Sequence, residues 1–145
     1  GMSWEKSGKE GSLLRWYDVM EAERYEYTVG PAGEQFFNGL KQNKIIGSKC
    51  SKCGRIFVPA RSYCEHCFVK IENYVEINKD EAYVDSYTII YNDDEGNKLA
   101  QPVYIALIRF PNIEGGLLCY AEGNVKVGAK AKILSFQWPL RVKVD

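Results

Sequence analysis

The sequence predicts three parts in succession: N-terminal helices, a rubredoxin-like zinc ribbon, and then an all-β barrel of OB-fold type. Three observations predict this order. Apolar residues recur at helical spacing between residues 13 and 44. Two Cys-x2-Cys pairs dominate residues 45–71. From residue 72 to 145, short alternating segments are separated by glycine and proline. A chain of 145 residues suits one ordinary domain, or two small ones that share a surface.

Residues 1–12 are polar and rich in Gly, Ser and Lys, so a frayed tail is expected, and Gly1 ahead of Met2 reads as the scar of a cleaved tag. Leu13, Trp16, Tyr17 and Met20 then fall on one side of a helix, with Arg15, Asp18 and Glu21 on the other. Gly30-Pro31 breaks the chain. Pro31 suits the first turn of a second helix, where a missing N–H costs nothing, and Glu34 favours its positive end. Phe36, Phe37 and Leu40 make the apolar face of that helix, and Lys41 and Lys44 are expected in its last turn. Two aromatic-bearing helices of this kind are expected to pack on their own chain. The alternative is that Trp16, Tyr17, Phe36 and Phe37 form a surface for a partner protein or an apolar ligand arm.

After the cysteines the pattern becomes β. Tyr83, Asp85, Tyr87, Ile89 and Tyr91 share one face of a strand, and Ser86 and Thr88 the other. Residues 92–97 are a polar loop. Val103 to Phe110 is apolar on both faces, as a central or barrel strand would be. Pro111 and Gly115-Gly116 bound a turn; Leu117–Ala121, Lys130–Phe136 and Leu140–Val144 supply the remaining strands. Four to five short strands with glycine turns predict a small antiparallel barrel or sandwich, of the size of an OB-fold.

Cys50-Ser51-Lys52-Cys53-Gly54 and Cys64-Glu65-His66-Cys67 are separated by ten residues. A Cys-x2-Cys turn brings two sulfurs to about 3.5–4 Å, the edge of a tetrahedron with metal–sulfur bonds of about 2.3 Å. Gly54 permits the tight turn after the second ligand. Residues 56–59 are expected to form a short hairpin that brings the two knuckles together. Cys50, Cys53, Cys64 and Cys67 fill all four corners, so the site is closed and structural. Sulfur alone does not separate zinc from iron, and a rubredoxin-type electron carrier stands as an alternative. A ribbon this small has little core, so the metal supplies its folding energy, about 10 kcal/mol or more in comparable peptides. Chelation is expected to unfold residues 45–70 before the β domain. His66, the only histidine, reads as a loop residue whose N–H groups approach the sulfurs; a ligand or catalytic role is the other reading. Cys119 stands alone in an apolar strand and is expected to pack as a buried thiol.

Nineteen Lys+Arg balance nineteen Asp+Glu, a formal charge of +0. With four thiolates (−4) and a divalent metal (+2) the loaded chain is nearer −2. That balance argues against a chain built to cover nucleic-acid phosphates or an anionic membrane. The longest apolar run, Val103 to Ile108, is far short of the roughly 20 residues that span a bilayer, and the N-terminal residues lack the apolar stretch of a signal peptide. A cytoplasmic location is expected, where thiols stay reduced and metal binding accounts for clustered cysteines. There is no Gly-x-Ser-x-Gly elbow, P-loop or Gly-x-Gly-x-x-Gly, and no set of residues reads as catalytic.

The order of parts carries a resemblance. A helix with Phe36-Phe37-x-x-Leu40 leads to Cys50-x2-Cys53-Gly54, Pro59-x-Arg61 and Cys64-x2-Cys67, followed by a β domain opening near Tyr83-Val84-Asp85-Ser86-Tyr87-Thr88. This resembles the family of OB-fold proteins with a rubredoxin-like zinc ribbon, a domain of unknown function associated with acyl-CoA, whose genes neighbour thiolases and hydroxymethylglutaryl-CoA synthase. The resemblance covers roughly residues 31–138. It implies a chain that is not an enzyme by itself but an acyl-CoA-binding or scaffolding subunit of a thiolase-fold enzyme, with Cys50, Cys53, Cys64 and Cys67 as zinc ligands.

A CoA site needs cations for phosphates and a flat surface for adenine. Lys49, Lys52, Arg55 and Arg61 crowd the ribbon with Phe57 and Tyr63 among them, and arginine suits bidentate phosphate contact. The sequence therefore offers Lys52, Arg55, Arg61, Phe57 and Tyr63 as CoA contacts; the competing reading is that these cations only offset the cluster charge. A nucleic-acid-binding zinc-ribbon/OB-fold protein is the alternative function, with Tyr87, Tyr91, Tyr104 and Phe110 as candidate stacking residues.

Overall fold

A computed structural model describes residues 13–27 and 30–145. The expected tail over residues 1–12 lies outside the described residues. Helix α1 (Leu13–Tyr27) and helix α2 (Gly30–Lys41) come first. Strands β1 (Ile45–Lys49), β2 (Ile56–Val58), β3 (Tyr63–Cys64), β4 (Val69–Lys70) and β5 (Asn73–Ile77) follow. After a 3-10 turn at Lys79–Glu81 come β6 (Tyr83–Asn92), β7 (Lys98–Arg109), β8 (Glu114–Gly115), β9 (Leu117–Gly123), β10 (Lys132–Ser135) and β11 (Arg141–Val144).

Helix α2 stops at Lys41 because Asn43 takes a left-handed conformation (φ 60). The Lys44 N–H then donates to the Gly39 carbonyl at 2.9 Å, and the Asn43 N–H to the Leu40 carbonyl at 3.0 Å. That bond pair is a Schellman cap. It corrects the expectation for Lys44, which lies beyond the helix, so that Lys41 alone complements the dipole.

Strands β5-β1-β2-β8 form one sheet and β10-β11-β9-β7-β6 a second, with β3-β4 a separate hairpin. In the second sheet, β6, β7 and β9 are consecutive antiparallel neighbours, while β11 runs parallel to β9. The parallel pairing departs from the all-antiparallel expectation, because residues 124–140 carry the chain across before β11 begins. The sheet closes on itself where Lys130 bridges Tyr83 and the Ala131 N–H donates to the Ala82 carbonyl at 2.9 Å. The result is an OB-type barrel.

Both faces of β7 are covered, as its apolar run predicts. Ala106 and Ile108 point into the barrel with Val84, Leu117, Cys119 and Val142. Ile105 lies on the outer face beneath α1, in a second cluster with Met20, Ile90, Leu13 and Trp16. The register shift between Val84 and Ser86 explains how β6 serves both clusters. One inserted residue reverses the phase of the side chains, so Val84 points inward while Ile90 meets α1. The single alternation read from the sequence holds only on each side of that bulge.

The N-terminal aromatics mostly pack on this chain. Phe36 is fully buried, and Trp138 packs edge-on against Tyr27, Phe36 and Phe37. The Trp138 indole N–H also donates to the Met20 carbonyl at 2.9 Å, tying α1 to the β10–β11 connection. Tyr17 differs from its expected place on the buried face, being 47% exposed. Phe110 is buried, which removes it from the proposed base-stacking set, whereas Tyr87 and Tyr91 are exposed. One core cluster runs through α2 (Phe36, Leu40), the first sheet (Ile45, Val58, Ile77) and the barrel interior.

Candidate metal centre

Each cysteine pair sits in the turn of its own hairpin, and the two turns close in the same way. In the first, between β1 and β2, the Gly54 N–H donates to the Cys50 carbonyl at 2.8 Å. In the second, between β3 and β4, the Phe68 N–H donates to the Cys64 carbonyl, also at 2.8 Å. The residue after each second cysteine is left-handed: Gly54 at φ 79 and Phe68 at φ 56. Glycine meets that demand without strain, while Phe68 adopts it with its ring 77% exposed. The expected hairpin over residues 56–59 is not formed. Strand β2 instead pairs with β1 on one side and β8 on the other, because each knuckle supplies its own reversal.

The four sulfurs of Cys50, Cys53, Cys64 and Cys67 lie within 4.8 Å of one another. Cys53 and Cys64 are separated by 3.8 Å, far longer than a disulfide bond and equal to the edge of a tetrahedron with metal–sulfur bonds of about 2.3 Å. The electrostatics fit a cation at the centre. The Arg55 backbone N–H, helped by its side chain, lowers the Cys53 thiol to about 6. Burial, followed by the neighbouring Cys53 and Cys50, pushes the Cys67 thiol up to about 12. Burial and the neighbouring sulfurs thus oppose ionisation of Cys67, and a metal ion at the centre would offset that opposition. Cys50 and Cys64 are buried, and with Phe57 and Ile71 they form the small core beneath the cluster.

The remaining sequence candidates fall into two groups. Arg55 is engaged: its guanidinium is held more firmly protonated by a hydrogen bond to the Cys53 sulfur, with Glu114 adding to the effect at 3.4 Å. Phe57 is 1% exposed, stacked against His66 at 6.5 Å and covered by the Arg61 guanidinium at 4.7 Å. It has no free face for adenine, which corrects its expected role. The His66 imidazole stacks on Phe57 and its Nε2 lies 3.4 Å from Glu114. Lys49, Lys52, Arg61 and Tyr63 are exposed around the ribbon. Cys119 is buried among apolar neighbours, which raises its thiol.

Two residues that shape this region escaped the sequence. Glu114 on β8 reaches both knuckles, through Arg55 and His66. Ser48 is fully buried, and its hydroxyl accepts a bond from the Arg61 backbone N–H at 2.9 Å. Glu114 stands some sixty residues beyond the first knuckle with no motif to mark it. Ser48 gave a faint signal as a polar residue inside an apolar strand.

Comparison with known proteins agrees with this architecture. Residues 37–72 match the family described as ChsH2, rubredoxin-like zinc ribbon domain, and residues 74–137 the ChsH2, C-terminal OB-fold domain. A crystal structure of a DUF35-family protein of unknown function from Sulfolobus solfataricus is 99% identical, with a TM-score of 0.90. The match covers 93% of this chain and 100% of that one. This chain belongs to the DUF35 family. A further DUF35 structure, the Ltp2-ChsH2(DUF35) aldolase, is 16% identical with a TM-score of 0.58, covering 80% of this chain and 96% of that one. At that identity the likeness is one of fold. No curated protein matches the sequence significantly. Among the described residues of this DUF35 chain, no helix is long and apolar enough to cross a membrane.

Proposed function

We propose that this DUF35 chain is a non-catalytic subunit that binds a CoA thioester and assembles with a thiolase-fold enzyme, its ribbon held by one structural zinc ion. The observation that carries the reading is the closed four-sulfur cage of this chain, set on a fold that is similar to the Ltp2-ChsH2(DUF35) aldolase. A cage whose four corners are all protein sulfur leaves no position for substrate. Its chemistry is to fold the ribbon and fix its surface against a partner. The absence of a nucleophile–base pair from the sequence supports an accessory role, as does the family resemblance read from the ribbon motif.

At the ribbon, Lys52, Arg61 and Tyr63 are the exposed candidates for contact with CoA, with Arg55 restrained by Glu114. Substituting Arg61→Ala keeps the fold and weakens acyl-CoA binding if this contact is used; unchanged affinity eliminates it. The decisive experiment is purification of the untagged protein from its native cell. A thiolase-fold enzyme in stoichiometric amount is the expected companion, and its absence together with no saturable acyl-CoA binding would overturn the reading. Elemental analysis separates zinc from iron, and an iron tetrathiolate would also show itself by its red colour.

A further inference from the structure

The outer edge of the barrel carries a cavity that the ribbon-centred reading does not use. It measures about 410 Å³, and Lys79, Lys130, Lys132 and Lys143 line it. Asp80 and Asp145 are the only carboxylates in its lining, so the wall is predominantly cationic. Among the described residues, no carboxylate lies within ion-pair distance of any of the four lysines. Lys79 donates to the Asn43 carbonyl at 2.8 Å, which fixes its position and leaves two of its three donors.

The placement of two of these lysines is costly. Lys132 on β10 and Lys143 on β11 are direct cross-strand partners, and like charges facing each other in this way destabilise a sheet. Lys130 lies two residues before Lys132, toward the same cavity. An anion that bridges these groups removes the repulsion. A single carboxylate would leave much of the positive charge uncompensated, whereas clustered phosphates match it, and lysine serves as a point-charge partner for phosphate.

Phe136 connects this cavity to a second one. Lys79 Nζ lies 5.1 Å from the centre of the Phe136 ring. The same residue lines a groove of about 930 Å³ that continues past Leu134 to Phe37, Leu40 and Trp138. The groove is mixed in character, with Glu21, Arg24 and Lys41 beside the apolar side chains. A charged cavity opening past one aromatic ring into a long mixed groove suits a molecule with a phosphorylated head and an amide-bearing apolar arm.

We propose that Lys79, Lys130, Lys132 and Lys143 bind the phosphate end of a CoA thioester, whose pantetheine arm passes Phe136 into the groove beside Trp138. The inference rests on the CoA reading above and relocates the phosphates from the ribbon to the β10–β11 edge. Calorimetry on the full chain with acetyl-CoA and, separately, inorganic pyrophosphate tests it in the parent, the double variant Lys132→Ala/Lys143→Ala, Lys132→Glu, and Lys98→Ala, an exposed lysine that lines neither cavity. The expected result is acetyl-CoA binding that weakens about tenfold or more in the double variant and in Lys132→Glu, is little changed in Lys98→Ala, and falls with added salt. Both lysine variants should melt no lower than the parent, since each relieves a like-charge pair, so lost binding is not lost fold.

If the double variant binds acetyl-CoA as tightly as the parent, the lysine site is wrong while the CoA reading survives. If the parent binds pyrophosphate through these lysines but not acetyl-CoA, the CoA assignment and the proposed ligand fall together. If it binds neither, the site is refuted outright. Trp138 fluorescence supplies a second readout: acetyl-CoA should change it and pyrophosphate should not, and a response to neither refutes the path of the arm.

Discussion

Removing the metal should melt only part of the ribbon. The half nearest the cluster, comprising both knuckles and the β3–β4 hairpin, has a core of Cys50, Cys64, Phe57 and Ile71. Burying the two large side chains contributes about 1.5–3 kcal/mol each. Ordering the knuckles and the hairpin costs more backbone entropy than that small core repays. Without the metal, which supplies about 10 kcal/mol or more in small zinc peptides, that half cannot stand. The other half is differently placed, since Ile45, Val58 and Ile77 belong to the same core as α2 and the barrel. Chelation should therefore release the knuckles and leave the β1–β5 ladder in place, a narrower event than unfolding of residues 45–70.

Hydrogen exchange followed residue by residue, with and without a strong chelator, reads this directly. The amides of Gly54, Phe68 and Ile71, which donate to the carbonyls of Cys50, Cys64 and Ser62, should lose protection. Amides in the β1–β5 pairing, from Ile45↔Ile77 to Lys49↔Asn73, should largely keep theirs. Simultaneous loss in both sets would show that the ribbon is one cooperative unit and refute the partition. Unchanged protection at the knuckles would refute the role of the metal itself.

Three further outcomes follow from single residues. Burial raises the Glu23 carboxyl above its ordinary value of 4.5, against the lowering effect of its hydrogen bond from Tyr27. Its stabilising contribution is complete below pH 4.5 and is lost as pH rises through the higher folded value. Glu23→Gln should therefore raise the melting temperature at pH 7, with the gain disappearing in acid. Gly115 has φ +93, and a Cβ there would run into the Val58 carbonyl, so Gly115→Ala should cost about 2 kcal/mol or more in denaturant melts. Phe68→Asn, which suits the left-handed site and removes an exposed ring, should stabilise the isolated chain by up to about 1 kcal/mol; a lower melting point would show that the ring packs on this chain.

The legible parts of this protein were those with short-range causes. Paired cysteines at fixed spacing announced the metal site, and the Phe36-Phe37-x-x-Leu40 stripe announced a helix whose Phe36 and Leu40 are buried. The two-sided apolar run of β7 foretold a strand covered on both faces, although not that α1 would supply one of the covers. What stayed hidden depended on distant pairing. Nothing local to Glu114 says that it will lie beside Arg55 and His66. The bulge after Val84 is one residue of slack, invisible in a run that alternates plausibly in either phase. Lys79, Lys130, Lys132 and Lys143 read as scattered surface charges until the strands bring them to one edge. Phe57 shows the converse: its neighbours in sequence made it look available, and the fold closed both its faces.

Strand β8 adds only two residues to the sheet, Glu114 and Gly115, yet it lies alongside β2 in parallel register, with Phe57 opposite Glu114. The edge of the ribbon is thus finished by chain that emerges between two strands of the barrel. Exchanging either module for a homologous one by cutting at the join near residue 72 would put a foreign β5 against β1, a foreign β8 against β2 and a foreign interior against Ile45 and Val58. The two modules are fitted to each other, and chimeras should succeed only when residues 73–77 and the segment around residues 113–116 travel with the ribbon they complete.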